Sequence, residues 1–293
     1  MSKLIRWSGS KKSCSSSIIS YFPRKINTYY ECFLGGGSVL LELLRNFDKY
    51  NIECNHFVGS DINRDLISVW NIIKLNPILL YNYYSNMYNE FINLNSVQEK
   101  KEFYTYKRNY YNSLDIENEE RPLLFYWLIR TCFNGLIRYN KKGEFNSPYH
   151  LNRNGIRPNE LLSILMESSA LLKRYNVEFK FMPFESIFEI AKEGDLLYCD
   201  PPYENVKTNS MYLKNSFDSS TLFNELKKLN DRNINWLLSY DGLELLKSKN
   251  IIIPENMYKR HIEIVQSNSS YRNLSNSKTK NNTVKESLFC NFE

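Results

Sequence analysis

The sequence predicts an α/β protein, a mostly parallel sheet interrupted by a mainly helical insertion. Three observations predict it. A short aromatic run at 28–33 (TYYECF) stops at Gly35-Gly36-Gly37 and is followed by leucines at helical spacing. A four-residue apolar run, Leu196–Cys199, stops at Asp200-Pro201-Pro202-Tyr203, as a parallel strand buried on both faces does. Between them, from about residue 78 to 175, charged, tyrosine-rich segments carry helical periodicity instead.

Each element has its own signal. The run 28–33 reads as a strand. Val39, Leu40, Leu43 and Leu44 define a helix after the glycines, with Ser38 as its expected cap. Residues 57–62 (FVGSDI) read as a second strand carrying Asp61 at its end. Asn63 caps the next helix, whose apolar face is Leu66, Ile67, Trp70 and Ile73, and Pro77 is expected to stop it. Pro122 suits the first turn of a helix running through Trp127 and Ile129. A turn-rich island covers 134–158. Strand–helix alternation returns near 177. Asp218 caps a helix with Leu222, Leu226 and Leu229 on one face, and residues 236–239 form a further strand. A Ser/Asn/Lys-rich stretch at 267–283 reads as a surface loop.

Composition narrows the classes. With 42% hydrophobic and 15% aromatic residues in 293, the chain has material for a core and is not a disordered protein. No apolar run approaches the ~20 residues of a membrane helix. The N-terminal residues lack the apolar centre of a secretory signal, so a cytoplasmic location is expected. Six cysteines without a CxxC pair, and three histidines, argue against structural zinc or a disulfide framework. The net charge of +6 suits a polyanionic partner, although AT-rich coding produces the same Lys/Asn bias.

Two motifs carry chemistry. A glycine turn between strand and helix lets backbone N–H groups approach a ligand, and an acid ending the next strand can take ribose hydroxyls. Asp61 lies 24 residues after Gly37, near the usual ~20. The turn departs from G-x-G-x-x-G, so by itself it fits either a nucleotide-like ligand or a tight turn without one. In the second motif, two prolines after a buried strand fix an extended backbone and leave carbonyls as acceptors. Asp200 adds an ionised acceptor and Tyr203 a flat ring. This set suits a planar group with an exocyclic amine, held by the Asp200 carboxylate and the Pro201 carbonyl and stacked on Tyr203. Alternation points Cys199 away from Asp200, so it reads as a small buried hydrophobe rather than a nucleophile.

With these residues in hand, the chain resembles the Dam-like DNA adenine-N6 methyltransferases. The resemblance rests on Trp7-Ser-Gly-Ser-Lys11, Glu31-Cys-Phe-Leu-Gly-Gly-Gly-Ser38, Asp61-Ile-Asn63, Asp200-Pro-Pro-Tyr203, the long block 133–148 and Glu286-Ser-Leu-Phe-Cys-Asn291. It implies a Rossmann-like catalytic domain over 1–70 and 160–293, and an inserted target-recognition domain over 71–159 that carries a β-hairpin. It implies S-adenosylmethionine as cofactor, held by Trp7, Lys11, Phe33, Gly35, Gly37, Asp61 and Asp200, with Asp200, Pro201, Pro202 and Tyr203 as the catalytic tetrad.

Lys141-Lys142-Gly143 reads as the tip of that hairpin, between 136–139 and 144–145, and a β-ribbon fits a major groove. Arg138 can read a base edge, and Lys141 and Lys142 can meet phosphates. By resemblance Phe133 wedges into the base stack, Asn134, Leu136, Arg138 and Pro148 contact bases, and Arg6 contacts the first guanine of a GATC site. The polar segment 204–217, with Lys207 and Lys214, fits closure over the target base, contact with DNA, or equally a loop without a role. The expected partner is double-stranded DNA, without metal or membrane. The protein would act in the cytoplasm on the nucleoid, as a monomer or weak dimer on DNA, with a companion restriction endonuclease as a possible partner. Cys32 stands where the family has proline, and His150 where glycine is common. The rival readings are a methyltransferase on cytosine N4 or RNA adenine, and a non-catalytic DNA-binding relic.

Overall fold

The computed structural model describes residues 4–151, 153–202, 217–241, 253–266 and 284–293. A short helix α1 (Ser15–Ile19) leads to β1 (Lys25–Glu31), α2 (Ser38–Arg45), α3 (Phe47–Tyr50), β2 (Glu53–Asp61) and α4 (Arg64–Leu75). Helices α5 (Pro77–Ile92), α6 (Val97–Ser113) and α7 (Glu120–Thr131) follow, then a turn-rich stretch and α8 (Pro158–Arg174). The chain returns through β3 (Glu178–Phe181), α9 (Phe184–Ile190), β4 (Leu196–Cys199), α10 (Ser219–Asp231), β5 (Asn235–Asp241), β6 (Arg260–Gln266) and β7 (Val284–Cys290).

The seven strands form one sheet in the order β3-β2-β1-β4-β5-β7-β6. Strands β1 to β5 pair in parallel, and β7 runs antiparallel between β5 and β6. This is the Rossmann-like α/β fold expected. Strand order reverses between β1 and β4, and in such sheets ligands bind at the carboxyl ends of the strands flanking that reversal.

Two apolar layers sandwich the sheet. Tyr29, Tyr198, Leu237 and Leu288 face one, and Leu197, Cys199, Leu238 and Phe289 face the other. Cys199 therefore points away from Tyr198, as alternation requires. The first layer continues without a break into α5–α7, where Tyr104, Tyr111, Phe125 and Trp127 are fully buried.

Local signals explain most boundaries. Asn63 accepts a hydrogen bond from Leu66 N at 2.9 Å and caps α4, worth about 1 kcal/mol. Asp218 likewise caps α10. Three expectations change. Ser38 is the first residue of α2 rather than its cap; Gly37, at φ +58°, holds that position. Pro77 does more than stop α4, for it is also the first residue of α5, where its missing N–H costs nothing. The reading segment is not a regular ribbon: its described pairing is confined to the isolated bridges Cys132↔Tyr149 and Tyr139↔Phe145.

Side chains explain that last difference. Asn112 of α6 donates to Phe145 O at 3.0 Å and accepts from Phe145 N at 2.8 Å, covering the outward edge of the segment where a further strand would pair. Ser147 Oγ accepts from Arg138 N at 3.0 Å and donates to Leu136 O at 2.5 Å. The tip itself is an Asn140 turn, whose Oδ1 accepts from Lys142 N at 2.9 Å and Glu144 N at 3.0 Å.

Candidate active site and nucleic-acid interface

The glycine turn follows β1 at the order reversal. Gly35 (φ +46°) and Gly37 (φ +58°) both occupy the left-handed region. A Cβ on Gly35 would lie 2.7 Å from Trp7 Cδ1, so the indole rests on the turn itself. Trp70 of α4 fixes it from the other side, its indole N–H donating to Gly35 O at 3.1 Å. The Asp61 carboxylate, ending β2, accepts from Gly35 N at 3.0 Å and Asn63 N at 2.9 Å. Burial pushes the Asp61 carboxyl up to about 6 against those two hydrogen bonds. Phe33 stacks on Phe184, centroids 5.3 Å apart, and meets Phe217 edge-on at 6.0 Å.

Asp200 emerges at the carboxyl end of β4. Its Oδ1 accepts from Lys11 Nζ at 2.7 Å, and the same ammonium lies 3.2 Å from Glu286 Oε1 of β7. Lys11 is only 4% exposed. Burial alone would lower its pKa, but Asp200 and Glu286 outweigh it and hold the ammonium above its ordinary range. Beside this group Glu31 ends β1, accepting from Tyr29 OH at 2.9 Å and Leu40 N at 2.7 Å. Burial, opposed by those bonds, raises its carboxyl to about 8. Pro201 is buried and Pro202 half-buried. Tyr203 and the segment to 216 lie outside the described residues, as does the polar stretch 267–283.

One segment joins this site to the reading segment. Between Ile5 and Lys11 the chain lays Arg6 across Gly135, Trp7 on Gly35, and Lys11 against Asp200. A Cβ on Gly135 would lie 2.8 Å from Arg6 Cγ, so only glycine admits the crossing. Asn63 makes a second link, donating to Tyr139 OH at 2.9 Å.

Around Arg6 the charge is one-sided. Burial, and then Arg153, bring the Arg6 guanidinium down to about 10, and Arg130 acts in the same direction. Arg6 Nε and Arg153 Nη1 are buried without a hydrogen-bond partner among the described residues. Phe133 stacks on His150 with centroids 5.4 Å apart. Asn134 is left-handed at φ +54°. Arg138, Lys141, Lys142 and Pro148 are exposed, Phe133 and Asn134 half-buried, but Leu136 is buried. Any base contact by Leu136 would therefore need the segment to move.

Glu31 and Glu286 were quoted in motifs yet given no role by the sequence. The signal was present: Glu31 directly follows the aromatic pair Tyr29-Tyr30, and Glu286 directly precedes Ser287-Leu288-Phe289-Cys290 in a strand. Arg153 carried no signal of its own. Among the described residues no cluster of three or more His, Cys, Asp or Glu is arranged to hold a metal, and no helix is long and apolar enough to cross a membrane.

Residues 7–266 match the model of the D12 class N6 adenine-specific DNA methyltransferases. The chain is 34% identical over 248 residues to the Type II methyltransferase M.MjaIII of Methanocaldococcus jannaschii, covering 80% of this chain and 82% of that protein. It is 33% identical over 199 residues to a DNA adenine methylase of Haemophilus influenzae, covering 68% and 63%. A DNA adenine methylase of Serratia marcescens is 32% identical over 216 residues, covering 73% and 72%.

Proposed function

This chain belongs to the D12 class N6 adenine-specific DNA methyltransferase family, and from that premise we propose that it methylates N6 of an adenine flipped out of duplex DNA, within GATC, using S-adenosylmethionine. The observation that carries the reading is the segment 5–11, which reaches Gly135, the glycine turn and Asp200 in turn. A DNA-reading element, a cofactor turn and an amine acceptor on one short segment suit an enzyme that couples recognition to transfer.

The residues at the order reversal fit the cofactor. Asp61 is read as the acceptor for ribose hydroxyls, with Phe33, Gly35, Gly37, Trp7 and Lys11 completing the cofactor site; the Asp61 hydrogen bond to Gly35 N and the packing of Trp7 on Gly35 support this. S-adenosylmethionine supplies a methyl group on a cationic sulfur. The protein's part is to position and to exclude water. An adenine in a duplex hides its N6, so the base must leave the stack, at a few kcal/mol. Phe133 fills the gap, with Arg138, Asn134 and Pro148 contacting bases and Lys141 and Lys142 contacting phosphates. Arg6 Nε and Arg153 Nη1, buried and without a hydrogen-bond partner among the described residues, support an anionic partner. The flipped adenine stacks on Tyr203, and its N6 hydrogens go to Asp200 and the Pro201 carbonyl. That geometry turns the nitrogen lone pair toward the methyl group, and Asp200 stabilises the charge that develops on N6.

In this reading 71–159 forms the target-recognition insertion and 1–70 with 160–293 the catalytic domain. The test is to incubate the protein with S-adenosylmethionine and unmethylated plasmid, then map modified bases by single-molecule sequencing. N6-methyladenine confined to GATC is expected. At another motif, it retains the mechanism and overturns the assignment of Arg138 and its neighbours. No N6-methyladenine on any duplex overturns the activity.

A further inference from the structure

Lys11 is shared between two carboxylates, and one of them has no part in the reading above. Glu286 lies on β7, opposite Asp241 of β5 and Ile264 of β6. Because β7 runs antiparallel, its early residues lie over the carboxyl ends of the parallel strands. Its alternation partner Leu288 faces the same layer as Tyr198, so Glu286 points toward the side on which Asp200 emerges. Both Glu286 and Lys11 are buried.

We propose that Glu286 is a positioning residue for methyl transfer: it provides a second acceptor onto which the Lys11 ammonium turns when the target amine takes its place on Asp200. The inference rests on the activity proposed above. An ammonium has three donors and Asp200 two oxygens. In the free protein Lys11 occupies one of those oxygens at 2.7 Å. An incoming N6–H competes for the same carboxylate. Without Glu286 a buried Lys11 that yields to the amine loses a principal counter-charge, which is costly in a dry site. With Glu286 already 3.2 Å away, the ammonium needs only a small rotation.

Charge points the same way. One ammonium and two carboxylates leave a net negative group beside the place where a cationic methyl donor must sit. Neutralising Glu286 cancels that excess.

The test uses the full-length protein, a duplex with one target adenine, and single-turnover transfer rates. Glu286→Gln is expected to slow transfer at least tenfold while duplex Kd stays within twofold, and Glu286→Asp, which keeps the charge, is expected to recover part of the loss. A Gln variant within twofold of wild type overturns the proposal, as does equal damage from Gln and Asp, which would indicate packing alone. A second readout avoids activity. In a Lys11→Met and Glu286→Gln cycle, the unfolding equilibrium in urea is expected to show at least tenfold coupling; coupling below twofold overturns the pairing. A wild-type protein that transfers nothing, with that coupling intact, refutes the proposed activity and with it the role of Glu286 in transfer.

Discussion

Replacing Gly35 by alanine isolates what the glycine turn requires. At φ +46° an alanine pays about 1–2 kcal/mol for the left-handed backbone. Its methyl would also lie 2.7 Å from Trp7 Cδ1 and 3.0 Å from Nε1, so the indole must leave the turn. Displacing a half-buried aromatic side chain adds about 1–2 kcal/mol of lost burial. The sum is about 2–4 kcal/mol, measured as the shift in urea midpoint at unchanged slope. Gly36→Ala is the internal control. Its nearest contact would be Trp7 Cβ at 3.3 Å, and its φ is not in the left-handed region, so it should cost under about 1 kcal/mol. In a Trp7→Ala background the Gly35→Ala cost should fall to the backbone part, about 1–2 kcal/mol. Equal costs for Gly35→Ala with and without Trp7, or a cost no larger than that of Gly36→Ala, would refute the packing of Trp7 on the turn. Calorimetric titration with S-adenosylmethionine on the same variants should show weakened binding for Gly35→Ala and near-normal binding for Gly36→Ala.

Asp200→Ala should reduce methyl transfer at least a thousandfold while the protein stays folded, because Lys11 retains Glu286; transfer and circular dichroism check both halves. Arg138→Ala, at an exposed position, should leave stability within about 0.5 kcal/mol and broaden or abolish sequence choice in a methylation map. Glu31 and Asp61 have folded-state pKa values raised by burial to about 8 and about 6. Both acids therefore bind protons more tightly when folded, and their stabilising contribution falls as pH rises from the ordinary carboxylate range through those values. Above about pH 7 the remaining fall belongs to Glu31, so Glu31→Gln should remove it; the difference between urea curves of wild type and variant above that pH tests this.

How much was legible depended on how local the cause was. β4 was readable to the residue, because a buried apolar run ends at Asp-Pro-Pro. Asn63 and Asp218 were readable as caps, since a cap acts on residues two or three positions away. β1 and β2 begin earlier than their apolar runs because Lys25 and Ile26 pair with Glu53 and Cys54, and pairing recruits polar residues that show no strand pattern. The reading segment looked like a ribbon, but Ser147 Oγ takes Arg138 N and Leu136 O, which a longer ribbon would pair with backbone groups, and Pro148 has no N–H to offer. At the site, Asp61 and Asp200 stand out by motif. The dependence of Lys11 on Glu286, and of Gly135 on Arg6, joins residues far apart in sequence, and no local pattern carries it. Leu136 belongs to the same class: its burial is decided by neighbours brought together only in the fold.

The place of β7 bears on how the protein is made. β7 follows β6 along the chain yet enters the interior of the sheet, between β5 and β6, rather than its rim. Until it arrives β5 lacks its β7 partner, β6 lacks the strand it pairs with, and Lys11, far earlier in the chain, lacks the Glu286 carboxylate. Domains fold largely as they emerge, and an open strand edge invites pairing with other chains. A nascent or prematurely ended chain is thus expected to be an aggregation hazard rather than a partly active enzyme. Such a chain would also lack Glu286, the carboxylate that β7 brings within 3.2 Å of the Lys11 ammonium.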